Sequence, residues 1–351
     1  MPRLPNRMAK LQSNSKVQSS NFKVQSNYIR RCIQLARNGQ LNAAPNPMVG
    51  AVIVCNGRII GEGYHVRCGE GHAEVNAIAS VKPEDRYLLP QSTIYVSLEP
   101  CAHYGKTPPC AKLIIDKGIR KCVVGCFDPF SKVQGRGIQM LREAGVEVTV
   151  GILEKECEQL NKRFMTFHRV HRPFITLKWA QTADGFIGRN NRNPDEPLII
   201  SNKLTRIICH RRRAEHQAIL VGRHTVETDN PSLNVREWTG PDPIPVVIGN
   251  PNKLKNTDLH LLNTNRGTLF FDSPEEVIKG LYERNIQSLL VEGGRQVLQS
   301  FIDLNLWDEA FVETGTQTLS DGIPAPVLKN ATLTATRQYG KNTIAAFKRS
   351  E

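Results

Sequence analysis

Gly71-His72-Ala73-Glu74, Leu98-Glu99-Pro100-Cys101 and Pro108-Pro109-Cys110 follow one another in the first third of the chain and supply one imidazole, two thiols and a free carboxylate. Three protein ligands on Zn²⁺ leave the fourth tetrahedral position open for water, whereas a structural site closes the shell with a fourth Cys or His. His72, Cys101 and Cys110 therefore read as a catalytic metal centre with one zinc ion. Glu74 stands two residues after the imidazole, too close along the backbone to join the same metal easily, so it is free to shuttle a proton. The His-x-Glu and Pro-Cys-spacer-Cys pattern points to hydrolytic deamination of a nucleobase-like ring, the metal activating water and Glu74 acting as general acid/base.

The spacer departs from the common two-residue form, because eight residues separate Cys101 from Cys110. His103 and Lys106 within it add an imidazole and an ammonium suited to an anionic substrate. The Pro108-Pro109 pair predicts a helix beginning at Cys110, where a helix N-terminus favours a thiolate. Cys32, Cys55, Cys68, Cys122, Cys126, Cys157 and Cys209 read as small buried hydrophobes. Nine cysteines, an odd number without paired spacing, indicate reduced thiols and a cytoplasmic protein.

A chain of 351 residues with 40% apolar content exceeds what one core normally supports and is ample for two. No apolar run approaches a membrane span. The formal charge of +13, with Arg211-Arg212-Arg213 and a basic N-terminus, invites a nucleic-acid reading, but charge runs are mostly solvated faces. Residues 1–26, rich in Ser, Asn, Gln and Lys and without an acidic residue, read as a disordered leader. Their composition is compatible with a transit peptide, although Pro2 and Pro5 spoil an early amphipathic helix and there is no secretory apolar region.

From Tyr28 the pattern predicts a helix to about Asn38, then strands Gly50–Cys55 and Ile59–Tyr64 joined by the hairpin signal Asn56-Gly57. A helix from His72, strand Thr93–Leu98, a helix after Pro109, strand Lys121–Cys126, a helix ending near Gly145 and strand Glu147–Gly151 follow. This order predicts a three-layer α/β domain over 27–153. Residues 154–172, with apolar spacing at Leu160, Phe164 and Phe167, read as a linker helix ending at Pro173. A second α/β run fills 173–351, with strands Phe174–Trp179, Ala218–Gly222, Val246–Ile248, Leu269–Phe271 and Ser288–Glu292, and helices near 202–213, 274–284 and 295–305. The Gly-Gly pair in Leu290-Val-Glu-Gly-Gly-Arg295 could cradle a phosphate at a helix N-terminus or be a simple turn.

The stretches Ala44-Pro-Asn-Pro-Met-Val-Gly-Ala-Val-Ile-Val54, Ile60-Gly-Glu-Gly-Tyr-His65, His72-Ala-Glu-Val75, Leu98-Glu-Pro-Cys-Ala-His103, Thr107-Pro-Pro-Cys110 and Gly135-Arg-Gly137 resemble the bacterial bifunctional riboflavin-biosynthesis deaminase/reductases. The likeness continues through Asp229-Asn-Pro-Ser-Leu-Asn-Val-Arg236 and Val291-Glu-Gly-Gly294. It implies a cytidine-deaminase-like zinc domain followed by a dihydrofolate-reductase-like domain. The implied activity is loss of the 2-amino group of a pyrimidine ribosyl phosphate, then NADPH reduction of its ribose to a ribityl chain. By the same resemblance, Asn46, His65, His103, Lys106 and Asp128 touch the deaminase substrate. In the reductase half, Arg213, Leu233, Arg236 and Glu292 touch substrate, and Lys178, Ala180, Leu198, Thr225, Asp229, Gly294, Arg295, Gln296 and Val297 lie along NADPH. Read alone, Arg213 is a basic helix face, Asp229-Asn-Pro a turn and Leu233 core. Both implied ligands are anionic, so the basic charge needs no nucleic acid. A homo-oligomer is compatible with the sequence.

Several positions depart from the family pattern. Asp128-Pro-Phe-Ser131 replaces Asp-Pro-Asn-Pro, Pro197 and Leu198 replace polar and aromatic contacts, and Gly249-Asn250 stands for Asp-Ser, with Ser201 as a substitute hydroxyl. Alternatives to the bifunctional reading are a monofunctional zinc deaminase with a degenerate reductase half, a polynucleotide deaminase and a nonenzymatic binding protein. The polynucleotide reading predicts the short cysteine spacing and no second domain.

Overall fold

A computed structural model describes residues 7–104, 108–130, 134–190, 198–256 and 258–350, with side chains from residue 21 onward. The chain divides into two compact units, 1–169 and 170–351. In the first, the elements are α1 (Arg7–Ala36), β1 (Gly50–Cys55), β2 (Arg58–Tyr64), α2 (Ala73–Ala79), β3 (Thr93–Leu98), α3 (Cys110–Asp116), β4 (Lys121–Cys126), α4 (Arg136–Glu143), β5 (Glu147–Val150), α5 (Glu154–Leu160) and α6 (Lys162–Val170).

Five strands form one sheet in the order β2-β1-β3-β4-β5. β1 is antiparallel to both neighbours, and β3, β4 and β5 are parallel. The β1–β2 turn is the expected hairpin: Asn56 and Gly57 take φ of 50° and 77°, the left-handed pair of a two-residue turn whose twist matches the strands. Strand alternation sorts the side chains onto two faces. Ala51, Ile53, Ile94, Val96 and Val124 pack with Ala77 of α2, Ile114 of α3 and Leu141 of α4. Val52, Val54, Tyr95 and Val123 pack with Ile29, Cys32 and Ile33 of α1 and with Cys157 and Met165 of α5 and α6. The expected three layers are thus present.

Two boundaries differ from expectation. Residues 1–26 are not a disordered leader throughout, because α1 is helical from Arg7; residues 1–6 lie outside the described residues. No Pro or Gly interrupts the chain between Arg7 and Ala36, so the helix anchored by buried Ile29, Ile33 and Ala36 extends backward through polar sequence. Composition signalled a different property, the lack of an apolar face, and Phe22 and Val24 are indeed about half exposed. The 154–172 stretch is not a single linker helix. It breaks at Asn161 into α5 and α6, and buried Cys157 and Met165 tie it to the core of the first unit.

In the second unit the elements are β6 (Phe174–Gln181), β7 (Phe186–Gly188), α7 (Lys203–Ala214), β8 (Ala218–Gly222), α8 (Arg223–Asp229), β9 (Ile244–Ile248), β10 (Leu269–Phe271), α9 (Pro274–Glu283), β11 (Ser288–Val291), α10 (Arg295–Asp303), β12 (Glu309–Thr314), β13 (Ile323–Pro324), β14 (Ala331–Tyr339) and β15 (Asn342–Arg349). The main sheet runs β10-β9-β8-β11-β6-β12-β15-β14, and β7 pairs with β13 apart from it. The first six strands are parallel, whereas β15 is antiparallel to β12 and β14. Fully apolar strands such as Ala218-Ile-Leu-Val221 are buried on both faces, as parallel strands require. Asn202 caps α7 by accepting from Leu204 N and Thr205 N, and Ser273 caps α9 ahead of Pro274. Among the described residues no helix is long and apolar enough to cross a membrane.

Candidate functional site

β2 ends at Tyr64, and the chain returns through a short loop to His72, the N-cap of α2; Cys101 follows β3, and Cys110 opens α3 as the proline pair predicts. His72 Nδ1 lies 3.5 Å from Cys101 Sγ and 3.3 Å from Cys110 Sγ, and the three ligand atoms all fall within 4.8 Å of one another. Those spacings are the edges of a tetrahedron whose centre is about 2.0–2.3 Å from nitrogen and sulfur, the bond lengths of zinc. The donor set of one imidazole and two thiols fits the ion implied by sequence. Cys110 N donates to Cys101 Sγ at 3.3 Å. Hydrogen bonds from the Cys110 thiol and the His72 ring pull the Cys101 thiol down to about 4, while Cys110 moves up as the partner that keeps its proton.

Glu74 is buried on the first turn of α2. Burial pushes its carboxyl up to about 7, and the neighbouring Cys101 thiolate adds to the rise. A carboxyl that titrates near neutrality can accept and return a proton. His65 is buried beside the centre, its ring edge-on to His72 at 5.4 Å. His65 Nδ1 faces the Gly71 carbonyl at 3.1 Å and must donate to it, leaving Nε2 to accept from Asn46 Nδ2 at 3.1 Å. Burial lowers its pKa, in keeping with that neutral tautomer. Asp128 follows β4, with its carboxyl raised to about 7 first by burial and then by the charges of Glu99 and Cys101. His103 is exposed after Cys101, and Lys106 lies outside the described residues.

Glu99 is a residue that the sequence reading assigned no task. It is 3% exposed, and its carboxylate accepts from the backbone N–H groups of Asp128, Gly135, Gly137 and Ile138. This anion at the start of α4 ties the end of β3, and so the approach to Cys101, to the loop after β4. Gly137 comes so close that a Cβ there would meet the Pro100 carbonyl at 1.9 Å. No sequence signal marks these contacts, because the acceptors' partners are backbone groups.

In the second unit Glu292 follows β11 and pairs with Arg213 of α7: Arg213 Nη2 donates to Oε2 at 2.7 Å and Nε to Oε1 at 3.3 Å. Cys209, one turn earlier on α7, donates to Glu292 Oε1 at 3.2 Å. Burial alone would raise the Glu292 carboxyl, but Arg213 and Lys178 outweigh it and bring it to about 2. Burial likewise pulls the Lys178 ammonium down, and attraction to Cys209 and to the carboxylates of Glu292 and Glu313 more than restores it. Arg213 Nη1 also donates to Asn234 O, and His210 Nδ1 accepts from Arg236 N, so α7 holds the 234–236 loop. Arg236 Nη1 reaches Asn234 Oδ1 at 2.8 Å.

Gly294 caps α10, with its N–H 3.3 Å from Thr225 Oγ1; Arg295 and Gln296 are exposed and Val297 half-buried on the first turn. Ala180 is half-buried in β6 and Leu198 half-buried ahead of α7, while Asp229 ends α8 exposed. Leu233 does not join these groups through its side chain, which is buried in the core with Val221 and Val247, and its carbonyl accepts from Arg266. Ser201, the substitute hydroxyl, donates to Glu313 Oε2 at 2.8 Å. Residues 191–197 of the divergent segment lie outside the described residues. Two cysteines depart from the buried-hydrophobe reading: Cys68 is exposed, and Cys209 is half-buried as a donor to Glu292.

Comparison with known proteins matches each half. Residues 22–126 match the cytidine and deoxycytidylate deaminase zinc-binding region, and 173–316 match the RibD C-terminal domain. Riboflavin biosynthesis protein RibD of Aquifex aeolicus is 34% identical over 325 residues, covering 86% of this chain and 89% of that protein. The Bacillus amyloliquefaciens protein of the same name is 37% identical over 313 residues, covering 80% and 82%. A solved structure of a diaminohydroxyphosphoribosylaminopyrimidine deaminase/5-amino-6-(5-phosphoribosylamino)uracil reductase from Thermotoga maritima superposes with a TM-score of 0.85 at 33% identity, covering 94% of this chain and 99% of that one.

Proposed function

The chain belongs to the RibD family of bifunctional riboflavin-biosynthesis deaminase/reductases, and from that premise we propose which of its residues perform the two reactions. The substrate is a 2,5-diamino-6-(5-phosphoribosylamino)pyrimidin-4-one. Its ring 2-amino group is lost by hydrolysis, and its ribose is then reduced to a ribityl chain. When bound, one zinc ion on His72, Cys101 and Cys110 supplies the Lewis acidity that makes water nucleophilic near neutral pH, and NADPH supplies the hydride for the second step.

Glu74 takes the proton of the attacking water and returns it to the departing amine, so that ammonia leaves neutral. Neutral His65, with Asn46 on its Nε2, and Asp128 bind the aminopyrimidine ring, while His103 and Lys106 meet the ribosyl phosphate. In the reductase half, Arg213 and Arg236 hold the sugar phosphate beside Glu292, which remains ionised and orients Arg213. The first turn of α10, from Gly294 through Arg295 and Gln296 to Val297, receives the anionic part of NADPH with Thr225; Lys178, Ala180, Leu198 and Asp229 line the rest. Leu233 supports the loop from the core. The protein acts in the cytoplasm on a small molecule.

The observation that carries this reading is the pairing of a three-donor, zinc-sized triad with a buried carboxyl two residues beyond its imidazole. A Glu74→Gln variant of the zinc-loaded protein tests it. Ammonia release from the amino substrate should disappear, while NADPH oxidation with the deaminated substrate continues at the wild-type rate. Persistent ammonia release would remove Glu74 from its role.

A further inference from the structure

The helical stretch after the first sheet grips the two loops that carry Asn46 and Asp128. Asn161, at the break between α5 and α6, is 3% exposed. Its amide faces the backbone of Met48 from both sides: Met48 N donates to Asn161 Oδ1 at 2.8 Å, and Asn161 Nδ2 donates to Met48 O at 2.8 Å. Met48 stands two residues beyond Asn46, whose amide meets His65 Nε2. Farther along α6, the His168 ring lies 5.1 Å from Phe130, 4.4 Å from Phe164 and 5.3 Å from Phe167. Phe130 in turn donates its backbone N–H to Asp128 Oδ1 at 2.8 Å.

Both ties are rigid for physical reasons. A side-chain amide that satisfies a backbone donor and acceptor together has neither torsion left free and replaces the strand pairing that Met48 lacks. Aromatic rings at centroid distances of about 4.5–7 Å gain from edge and tilted contact as well as from burial. The divergence at Phe130 thereby acquires a purpose: the ring turns to α6, and only its backbone serves the carboxylate.

We propose that Asn161 and His168 are positioning residues of the deaminase site, holding Asn46 through Met48 and Asp128 through Phe130, and so setting the affinity for the aminopyrimidine ring. The proposal rests on the reading above that Asn46 and Asp128 touch that ring. It also assigns α5 and α6 to the deaminase domain by task, not only by packing.

Steady-state ammonia release by the full, zinc-loaded chain tests it, with zinc content and NADPH oxidation on the deaminated substrate measured in each variant. Asn161→Ala and His168→Ala should each raise KM roughly three- to tenfold, the effect of one loosened contact, with kcat changed less than about twofold. His168→Phe, which keeps the ring, should restore KM. Unchanged KM in both alanine variants, while Asp128→Asn and Asn46→Ala raise it, would overturn the proposal. Loss of zinc together with kcat would also overturn it, by marking a structural role. Unchanged KM in Asp128→Asn and Asn46→Ala would overturn instead the substrate contacts on which it rests.

Discussion

Glu74 and Glu292 are both buried glutamates near strand or helix ends, yet their carboxyls move in opposite directions, to about 7 and about 2. Burial pushes both up. Glu74 has thiols and a single imidazole around it, so burial prevails, whereas Glu292 has Arg213 bonded to both oxygens and Lys178 nearby, so the cations prevail. One environment makes a proton carrier and the other a fixed charge. On the proposed assignment the two halves of the chain use the same side chain for chemistry of different kinds, and breaking one should spare the other.

The largest separation should come from Glu74→Gln. Removing the general acid/base should lower kcat for deamination by about 10²–10⁴, leaving reduction intact; equal losses in both assays would mean the halves are not independent. Arg213→Ala should act on the other half. It strands a buried carboxylate, costing about 3–5 kcal/mol, and should abolish reduction while ammonia release persists. All three tryptophans, Trp179, Trp238 and Trp307, lie in the second unit, so denaturant unfolding followed by their fluorescence reads this loss directly.

The same pair predicts a pH dependence of stability. Glu292 is depressed from 4.5 to about 2, so its contribution is complete above pH 4.5 and is lost as pH falls through about 2. That contribution is about 3 kcal/mol for a shift of this size. The tryptophan-monitored transition should weaken over this window in the wild type and weaken less in Glu292→Gln. The smallest effect belongs to Cys209→Ala, which removes one weak donor to Glu292 and should cost about 1 kcal/mol in the same unfolding experiment.

Much of this was legible in the chain, for identifiable reasons. Thr93–Leu98 and Lys121–Cys126 are readable because each centres on a short apolar run, Ile94-Tyr-Val96 and Cys122-Val-Val124, and Asn56-Gly57 because its φ values are rare outside glycine and asparagine. The metal triad is readable because its spacing reflects local turns. By contrast, Asn161 meets Met48 across 113 residues, and Cys209 meets Glu292 across 83; such pairs leave no local trace. β14, Ala331-Thr-Leu-Thr-Ala-Thr-Arg-Gln-Tyr339, is exposed along most of its length, so it has no buried face to impose alternation, and the sequence assigns no strand beyond residue 305. The polar half of α1 was missed for the converse reason, since a helix can continue through residues that bury nothing.

Stoichiometry on a single sample tests the central claim, that one chain performs both steps. Zinc-loaded protein is given the amino substrate with NADPH, and ammonia and oxidised cofactor are measured together. One NADPH should be oxidised for each ammonia released, after a lag while the deaminated product accumulates. Ammonia released with NADPH untouched would contradict it, leaving a zinc deaminase whose second domain does not reduce.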